Sequence, residues 1–302
     1  MDQPYRSGFV AVIGRPNVGK STLINALLGQ KVAAVSPRPQ TTRRAQLGIY
    51  SIENAQIVFV DTPGIHNPHH KLGHALNLSA EEALIGVDLI LWLVDASEKP
   101  TDEDQLIASL MQTIKDRPPL LLATNKTDRL SADEIESRQR AYHNIFPEAD
   151  DVIPLSATRG DGRSDLIEAI LERLPNRPPD YPEEQVTDYY ERDIAAELIR
   201  EACLTFLRDE VPHSLAVRID EFTERGDKGA YIAATIFVER DSQKGIIIGQ
   251  GGKTIKKIGG AARKEIEAMS GRKVFLDLRV KVLKDWRNNE SYLRRFGFNM
   301  KK

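Results

Sequence analysis

The chain has 302 residues, of which 41% are apolar and 28% are charged, with 20 Gly and 16 Pro. This length predicts two domains, and the composition excludes wholesale disorder and collagen-like structure. The single cysteine, Cys203, excludes an intramolecular disulfide and an all-cysteine zinc site. The most apolar window, 84–96, is too short to cross a bilayer and the N-terminus does not resemble a secretory signal, so we expect a soluble intracellular protein.

The net charge of −2 conceals an uneven distribution. Residues 242–302 carry 16 Lys and Arg against 5 Asp and Glu, whereas the rest of the chain is acidic. Such a block indicates either a surface for a polyanion or an ordinary solvated basic face, and charge alone does not decide between them.

Between residues 9 and 174, apolar runs of strand length alternate with longer helical patterns. The runs are 9–13, 46–52, 56–61, 89–95, 119–125 and 151–157. Several lack polar alternation, as parallel strands covered by helices on both faces do, which predicts a doubly wound, mostly parallel α/β domain. Only three residues separate the second run from the third, so this pair is predicted to be an antiparallel hairpin.

Directly after the first run, residues 14–21 read GRPNVGKS, which matches the P-loop pattern GxxxxGK[ST]. In such a loop, backbone N–H groups surround the phosphates, the lysine adds a cation and the hydroxyl binds Mg²⁺. The predicted nucleotide contacts here are Gly14, Arg15, Pro16, Asn17, Val18, Gly19, Lys20, Ser21 and the adjacent Thr22.

A second motif, DTPG at 61–64, ends the third run. Asp61 is predicted to bridge to Mg²⁺, and the Gly64 N–H can bind the γ-phosphate. The remaining predicted contacts of this segment are Thr62, Pro63 and Ile65.

The fifth run is followed by NKTD at 125–128. An aspartate carboxylate can accept hydrogen bonds from both N1–H and the N2 amino group of guanine, and adenine offers no such pair. The base is therefore predicted to be guanine. The residues assigned to its site are Asn125, Lys126 and Asp128 and, after the sixth run, Ser156, Ala157 and Thr158.

Together these motifs resemble the translation-factor-related GTPases. The resemblance implies GTP or GDP and Mg²⁺ as ligands, with Ser21, Asp61 and a threonine of segment 39–44 around the metal. We favour Thr42, and leave Thr41 open. Ras-like enzymes have a glutamine after the DxxG glycine to orient the attacking water, whereas this chain has Ile65, so we expect slow intrinsic hydrolysis.

Asn17 matches the position that binds a potassium ion in potassium-activated relatives. It either holds such an ion near the phosphates or only stabilises the loop, and the two interpretations carry equal weight. The catalytic groups that the resemblance implies are Lys20, Thr42, Gly64 and Asn17.

Four prolines within 175–182 predict a stiff extended linker. We therefore expect a GTPase domain over 8–176, a linker over 177–188, a smaller α+β domain over 189–285 and a basic aromatic tail over 286–302. The second domain shows a helix at 191–208, strands at 215–222 and 230–240, a helix, a Gly-rich loop, a helix to about 269 and a strand at 273–282. On the first helix Cys203 shares a face with Ile194, Leu198 and Leu207, which predicts a core position.

Residues 247–255 read IIGQGGKTI and resemble the IIGxxGxxI signature of KH domains. The GxxG loop of such domains contacts the backbone of about four nucleotides. The element order matches the prokaryotic type II arrangement. The predicted RNA contacts are Ile248, Gly249, Gln250, Gly251, Gly252, Lys253, Lys256 and Lys257.

Two other clusters remain open. The tail aromatics Trp286, Tyr292, Phe296 and Phe298 lie among arginines and either stack on bases or pack on the domain, and packing is favoured for Phe296 and Phe298. The histidines after DTPG form either a metal cluster or, as we favour, a solvated loop. They are His66, His69, His70 and His74.

One GTPase domain followed by one KH domain resembles the Era family over essentially the whole chain. The resemblance implies a monomeric GTPase that binds small-subunit ribosomal RNA near its 3′ end, assists rRNA processing and small-subunit assembly, and makes peripheral contact with the inner face of the cell membrane. A pure RNA-binding module is disfavoured because every nucleotide motif is intact. A membrane-remodelling GTPase is disfavoured because the basic block falls on the KH signature.

Overall fold

The computed structural model describes residues 4–36, 38, 41–226 and 229–300. Pro39, Gln40 and Lys302, which belong to the predicted metal-binding segment and tail, lie outside these ranges. The described residues form two compact units. The first consists of 4–33, 42–69 and 76–188, and the second of 34–36, 38, 41, 70–75, 189–226 and 229–300.

The first unit is built on a six-stranded sheet in the order β2-β3-β1-β4-β5-β6. Its strands are β1 (Arg6–Ile13), β2 (Gln46–Ile52), β3 (Ala55–Asp61), β4 (Leu89–Asp95), β5 (Leu120–Asn125) and β6 (Asp151–Pro154). The helices are α1 (Lys20–Leu28), α2 (Lys71–Glu82), which carries residues of both units, α3 (Asp102–Thr113), α4 (Ala132–Ile145) and α5 (Arg163–Arg173). β2 and β3 pair antiparallel and the other neighbouring strands described in this sheet pair parallel, which confirms the predicted hairpin.

Both faces of this sheet are covered, because alternate residues of β1 enter different hydrophobic clusters. Val10 and Val12 pack in one cluster, and Ala11 and Ile13 pack in the other. Every residue of β4 is buried. The predicted doubly wound α/β fold is therefore confirmed.

Strand β6 is shorter than the predicted run 151–157. It ends at Pro154, since the N–H of Ser156 bonds to the carbonyl of Asp161 in the following turn at 2.9 Å. Residues 156–158 therefore stand in a loop at the carboxyl edge of the sheet, where they can take part in a site.

The proline-rich segment lies along the hairpin within the first unit. The buried Gln56 side chain donates to the carbonyl of Tyr181 at 2.9 Å and accepts from the N–H groups of Asp180 and Tyr181. The N–H of Ile49 bonds to the carbonyl of Val186 at 2.9 Å. The predicted domain boundaries remain predictions.

The second unit has a three-stranded sheet in the order β7-β8-β9, with β7 (Ala216–Glu224), β8 (Ala230–Val238) and β9 (Val274–Val282). Its helices are α6 (Glu191–Phe206), α7 (Asp241–Ile248), α8 (Lys253–Ser270) and the short α9 (Glu290–Arg295). β7 pairs with β8 antiparallel and β8 with β9 parallel, and the helices and strands follow one another in the predicted order. Cys203 is fully buried in the core of this unit, and burial raises its thiol pKa to about 12, so its predicted core position is confirmed.

Two tail aromatics belong to the core of the second unit. Trp286 is fully buried and donates from Nε1 to the carbonyl of Ser214 at 2.8 Å. Phe296 packs against Trp286 and Phe237, with ring centroids 5.3 and 5.4 Å apart. Base stacking by Trp286 and Phe296 is therefore excluded, and the favoured packing of Phe296 is confirmed.

None of the helices within the described ranges combines the length and the hydropathy that a bilayer-spanning segment requires.

Candidate functional site

The loop between β1 and α1 adopts a conformation that requires glycine at both of its ends. Gly14 has φ 151° and Gly19, which caps α1, has φ 107°. A Cβ atom would stand 2.2 Å from the carbonyl of Leu93 at Gly14 and 2.3 Å from Nδ2 of Asn125 at Gly19. Asn17, at the middle of the loop, has φ 66°, a conformation that asparagine tolerates better than most residues.

Lys20 is held inside this loop. Its Nζ donates to the carbonyls of Gly14 and Arg15 at 3.0 and 3.1 Å, and the residue is 6% exposed. Burial lowers the pKa of Lys20 to about 8, and the charge of Asp61 opposes that shift. A phosphate anion beside Nζ would restore the charged ammonium, so the loop is suited to an anionic ligand.

Three side-chain oxygens converge beside the loop. Ser21 Oγ donates to Asp61 Oδ2 at 2.6 Å and lies 2.8 Å from Thr42 Oγ1, which is 3.3 Å from the same carboxylate oxygen. Thr41 is not part of this cluster, because its hydroxyl donates to the carbonyl of Arg38 at 2.8 Å. Of the two threonines left open by the sequence, the structure brings Thr42 to the cluster.

The cluster fits Mg²⁺. The other oxygen of Asp61, Oδ1, is buried and has no hydrogen-bond partner among the described residues. Burial raises the pKa of Asp61, while hydrogen bonds from Ser21 and Thr42 and the charge of Lys20 oppose the shift. A hard cation with oxygen ligands would satisfy the orphaned atom and the buried charge together.

Beyond the Asp61 carboxylate, the DTPG segment contributes backbone and no side chain to the candidate site. A Cβ at Gly64 would stand 2.6 Å from the nitrogen of Pro16, so only glycine lets this backbone approach the phosphate loop so closely. The Thr62 hydroxyl donates to the carbonyl of Val12 at 2.7 Å inside the fold. Ile65 is 2% exposed in the hydrophobic core, and its N–H bonds to the carbonyl of Gly14. The side chains of Thr62 and Ile65 therefore do not reach the candidate site.

The guanine motif is tied to the phosphate loop and to the loop after β6. Asn125 donates from Nδ2 to the carbonyl of Val18 at 2.7 Å and accepts at Oδ1 from the N–H of Ala157 at 2.9 Å. Asp128 accepts from the Ser156 hydroxyl at 2.7 Å, and that hydroxyl lies 3.3 Å from the hydroxyl of Thr158. The three predicted segments thus meet at one edge of the sheet.

Asp95 is a residue that the sequence reading missed. It is 4% exposed, and its carboxylate pairs with Nζ of Lys126, which also donates to the carbonyl of Asn17 at 2.9 Å. Burial tends to raise the pKa of Asp95, but hydrogen bonds from Lys126 and Ser97 outweigh it and hold that pKa below its usual range. Its position at the carboxyl end of a parallel strand, where ligands bind in such sheets, was the signal available in the sequence.

Arg15 turns toward carboxylates of the same unit. Its Nη2 donates to Glu98 at 2.5 Å, and its Nε lies 3.4 Å from the buried Asp104. Arg15 thus bonds to Glu98 before α3 and lies beside Asp104 in its first turn, so it anchors the phosphate loop to this segment.

The predicted RNA loop stands between α7 and α8. Gly249, Gly251 and Gly252 have φ of 70°, 58° and 76°, so three of its four residues adopt conformations that favour glycine. Five of the predicted RNA contacts are exposed, namely Gln250, Gly251, Lys253, Lys256 and Lys257. The other three, Ile248, Gly249 and Gly252, are half-buried.

The histidines after DTPG are not brought together as metal ligands. No group of three or more His, Cys, Asp or Glu side chains within the described ranges is arranged to hold a metal ion. His66 is largely buried, with Nδ1 3.1 Å from the carbonyl of Gly64.

The comparisons with known proteins cover both units. Residues 9–126 match the family model described as 50S ribosome-binding GTPase, and residues 210–287 match the KH domain model. The GTPase Era of Geobacter metallireducens is 47% identical over 298 residues, which cover 98% of this chain and 99% of the relative. The chain belongs to the GTPase Era family. The GTPase Era of Halothermothrix orenii is 48% identical over 296 residues, covering 97% and 99%.

Solved Era structures have the same fold over the whole chain. A crystal structure of Era in complex with MgGDPNP and nucleotides 1506–1542 of 16S ribosomal RNA has a TM-score of 0.92 at 40% identity, covering 98% of this chain and all of that one. A point variant of Aquifex aeolicus Era bound to GDP and AlF4⁻ has a TM-score of 0.91 at 39% identity, with the same coverage. The Era resemblance and the GTPase activity it implied are confirmed.

Proposed function

We propose that this Era-family GTPase is a GTP-hydrolysing switch that binds small-subunit ribosomal RNA near its 3′ end and assists rRNA processing and small-subunit assembly. The observation that carries the nucleotide half is the Ser21, Thr42 and Asp61 cluster with its orphaned buried oxygen beside the phosphate loop. The exposed GxxG loop of the KH domain supports the RNA half. The Era relatives support both, since one was solved with MgGDPNP and 16S RNA.

In this proposal Ser21, Thr42 and Asp61 hold Mg²⁺, which neutralises charge on the β- and γ-phosphates. Lys20 adds a second positive charge at the phosphates. Gly64 offers a backbone N–H to the γ-phosphate. Only glycine fits at this position, because Pro16 closes the space that a Cβ would fill. Since Ile65 is buried in the core, no side chain at that position orients water, and we expect slow intrinsic hydrolysis.

Guanine selection is proposed to rest on Asp128. Its carboxylate is held by the Ser156 hydroxyl, so it is oriented before the base arrives. Asn125 links the phosphate loop to residue 157 and so fixes the distance between the base and phosphate ends of the site.

A potassium ion is proposed as a further cofactor at Asn17. The support is the left-handed turn at Asn17 in the middle of the phosphate loop, together with the absence of a water-orienting side chain at Ile65. Phosphate release should be faster in KCl than in NaCl at equal ionic strength. Asn17→Gly removes the side-chain oxygen and tolerates the positive φ, so it should abolish the difference between the salts. Equal rates in both salts for the parent would exclude the ion.

The two matches point to different ribosomal subunits as the partner. The family model that spans 9–126 is described by 50S binding, whereas a relative matching the whole chain was solved with 16S RNA. We give more weight to the whole-chain match, because the 50S description covers only part of the GTPase unit. Co-sedimentation of the full chain with purified 30S and 50S subunits tests this proposal. Binding to 30S alone is expected, and binding to 50S alone would reject it.

Peripheral membrane contact, a cytoplasmic location and a monomeric state are also proposed, on the Era resemblance. Light scattering after size exclusion should give the mass of one chain. Flotation with vesicles of anionic lipid should recover part of the protein, and complete absence from the vesicle fraction would reject the membrane contact.

A further inference from the structure

A groove of about 1010 Å³ opens on the first unit between α1, the β2–β3 hairpin and α5. Pockets that take small ligands measure roughly 300–1,000 Å³, so this groove stands at the upper end of that range. The residues that line it include none of the predicted nucleotide or RNA contacts. The groove is therefore a separate feature of the GTPase unit that the proposed function does not use.

The floor of the groove is apolar. Leu27 of α1, Tyr50 of β2, and Ile167 and Leu171 of α5 line it, and all four are only partly buried against the hydrophobic cluster beneath them. Ile52, which ends β2, also lines the groove and is 37% exposed. A partner that covers this floor would remove apolar surface of three elements from water, which favours binding.

The exposed charged side chains of the groove are acidic. Glu53 lines it from the hairpin and Glu168 lines it from α5. Both are exposed, and neither forms an ion pair with another residue of the described ranges. Glu172 lies one turn of α5 beyond Glu168, is also exposed, and is 3.8 Å from its sequence neighbour Arg173.

The two arginines that line the groove are turned toward backbone oxygens. Arg6 donates to the carbonyl of Leu171. Arg163 donates from Nη1 to the carbonyl of Ala26 at 3.4 Å and from Nη2 to the carbonyl of Ala157. Both arginines are half-buried, whereas the three glutamates are exposed, so an incoming ligand meets negative charge first.

We propose that this groove binds a basic amphipathic helix of a protein of the small ribosomal subunit. Apolar side chains on one face of such a helix would cover the floor of the groove, and Lys or Arg beside them would pair with the glutamates on its two sides. The inference rests on the proposed ribosomal function and adds to it a protein contact on the GTPase unit.

Charge and packing favour this occupant over RNA and over a second copy of the chain. RNA and anionic lipid would bring negative charge against the glutamates. The most basic helix of this chain, α8, buries its apolar residues Ile258, Ala262 and Ile266 in the core of the second unit, so α8 of a second copy has no apolar face to offer. Proteins that bind ribosomal RNA need Lys and Arg to neutralise its phosphates, so the small subunit is a source of basic helices.

Photo-crosslinking of the full chain to purified 30S subunits tests the occupant. Ile52→p-benzoylphenylalanine places the probe on the hairpin side of the groove, and Ser164→p-benzoylphenylalanine, in a second protein, places it on the α5 side. After irradiation both should be joined to the same Lys- and Arg-rich segment of one small-subunit protein. Ile85→p-benzoylphenylalanine is the matched control, because Ile85 lies in the same unit, is 79% exposed and does not line the groove. The control should not reach that segment.

Charge reversal supplies a second measurement. Glu53→Lys with Glu168→Lys should weaken binding of the full chain to 30S subunits about five- to thirtyfold, because two attractions to cations become repulsions. Asp133→Lys with Glu148→Lys makes the same change of charge at exposed positions of the same unit outside the groove. Added positive charge favours binding to a particle rich in phosphate, so this control should bind 30S at least as tightly as the parent. GTP hydrolysis without ribosomal subunits reports that both variants fold.

The outcomes separate this site from the proposed function. A crosslink from the groove to ribosomal RNA or to a second copy of the chain, or no crosslink in a complex that co-sediments with 30S, would overturn the site. Undiminished 30S affinity in the folded variant of Glu53 and Glu168, or an equal loss in the control, would also overturn it. Each of these results leaves GTP hydrolysis and binding to an RNA spanning nucleotides 1506–1542 intact. A parent chain that binds neither this RNA nor 30S subunits would overturn the proposed function, and this site with it.

Discussion

Replacing Asp95 by Asn removes the carboxylate that holds Lys126 against the phosphate loop. Asp95 is fixed on its other side by the N–H and hydroxyl of Ser97 at 3.0 and 2.6 Å, and Lys126 donates onward to the carbonyl of Asn17. The substitution therefore acts on the guanine motif and the phosphate loop together. The Asn side chain keeps the size and loses the charge.

The magnitude follows from the burial of the pair. Removing one partner of a fully buried ion pair costs about 3–5 kcal/mol of stability. Removing one partner of an exposed pair costs about 1 kcal/mol or less. The side chains of Asp95 and Lys126 are 6% and 22% exposed, so we expect a cost of about 2–3 kcal/mol. If most of it falls on the nucleotide-bound arrangement, GDP and GTP should both bind about 10–100-fold more weakly.

Titration calorimetry with GDP and a GTP analogue measures this effect. Asp88→Asn is the matched control, because Asp88 precedes the same strand at its opposite end and pairs with Arg177 at 2.9 Å. The control should bind nucleotide as the parent does. Unchanged affinity in Asp95→Asn, or an equal loss in the control, would refute the proposed link from Asp95 through Lys126 to the loop.

Stability against pH gives an independent readout of Asp95. Because its pKa in the folded chain lies below the ordinary value of about 3.9, its contribution to stability is present above that pH and is lost as pH falls through the folded pKa. The Tm difference between parent and Asp95→Asn should therefore be full at about pH 7 and shrink below about pH 4.

Two further predictions concern base and metal. Asp128→Asn should reverse the preference for GTP over XTP, because an amide donor opposes guanine N2 and suits the extra carbonyl of xanthine. The discrimination between the two nucleotides can change on the order of 10⁴. A variant that binds GTP as the parent does, with no gain for XTP in competition assays, would reject the assignment. Thr42→Ala should raise the Mg²⁺ concentration for half-maximal GTP hydrolysis by at least about tenfold. Thr41→Ala should leave that concentration unchanged, because the Thr41 hydroxyl bonds to the carbonyl of Arg38. Equal effects of the two substitutions would count against the cluster geometry.

The elements of the first unit were predictable because each carries a local signal. The buried strands are continuous apolar runs, and β2 and β3 are too close in sequence for a crossover helix. The end of β6 was not predictable, because Leu155 is as apolar as a strand residue and only the turn that joins Ser156 to Asp161 ends the pairing.

The site motifs were readable, but their side-chain directions were not. GKS, DTPG and NKTD fix which loops meet, since all follow strands at one sheet edge. The position of Ile65 in the sequence gave no sign that its side chain enters the core. The adjacent Thr41 and Thr42 could not be told apart by sequence, because only the structure shows which hydroxyl reaches Asp61. The strand-end position of Asp95 was a signal in the sequence, but its pairing with Lys126 became visible only when the two strand ends were placed side by side.

RNA affinity of the full chain tests the central claim most directly. The RNA spans nucleotides 1506–1542 of 16S ribosomal RNA, and the proteins are the parent and a variant carrying Gln250→Asp with Gly251→Asp, both with a GTP analogue and Mg²⁺. Both positions are exposed, so the fold and GTP hydrolysis without RNA should survive. Two negative charges against the RNA backbone should reduce affinity sharply. Undiminished affinity in a folded variant that still hydrolyses GTP would contradict RNA binding at this loop.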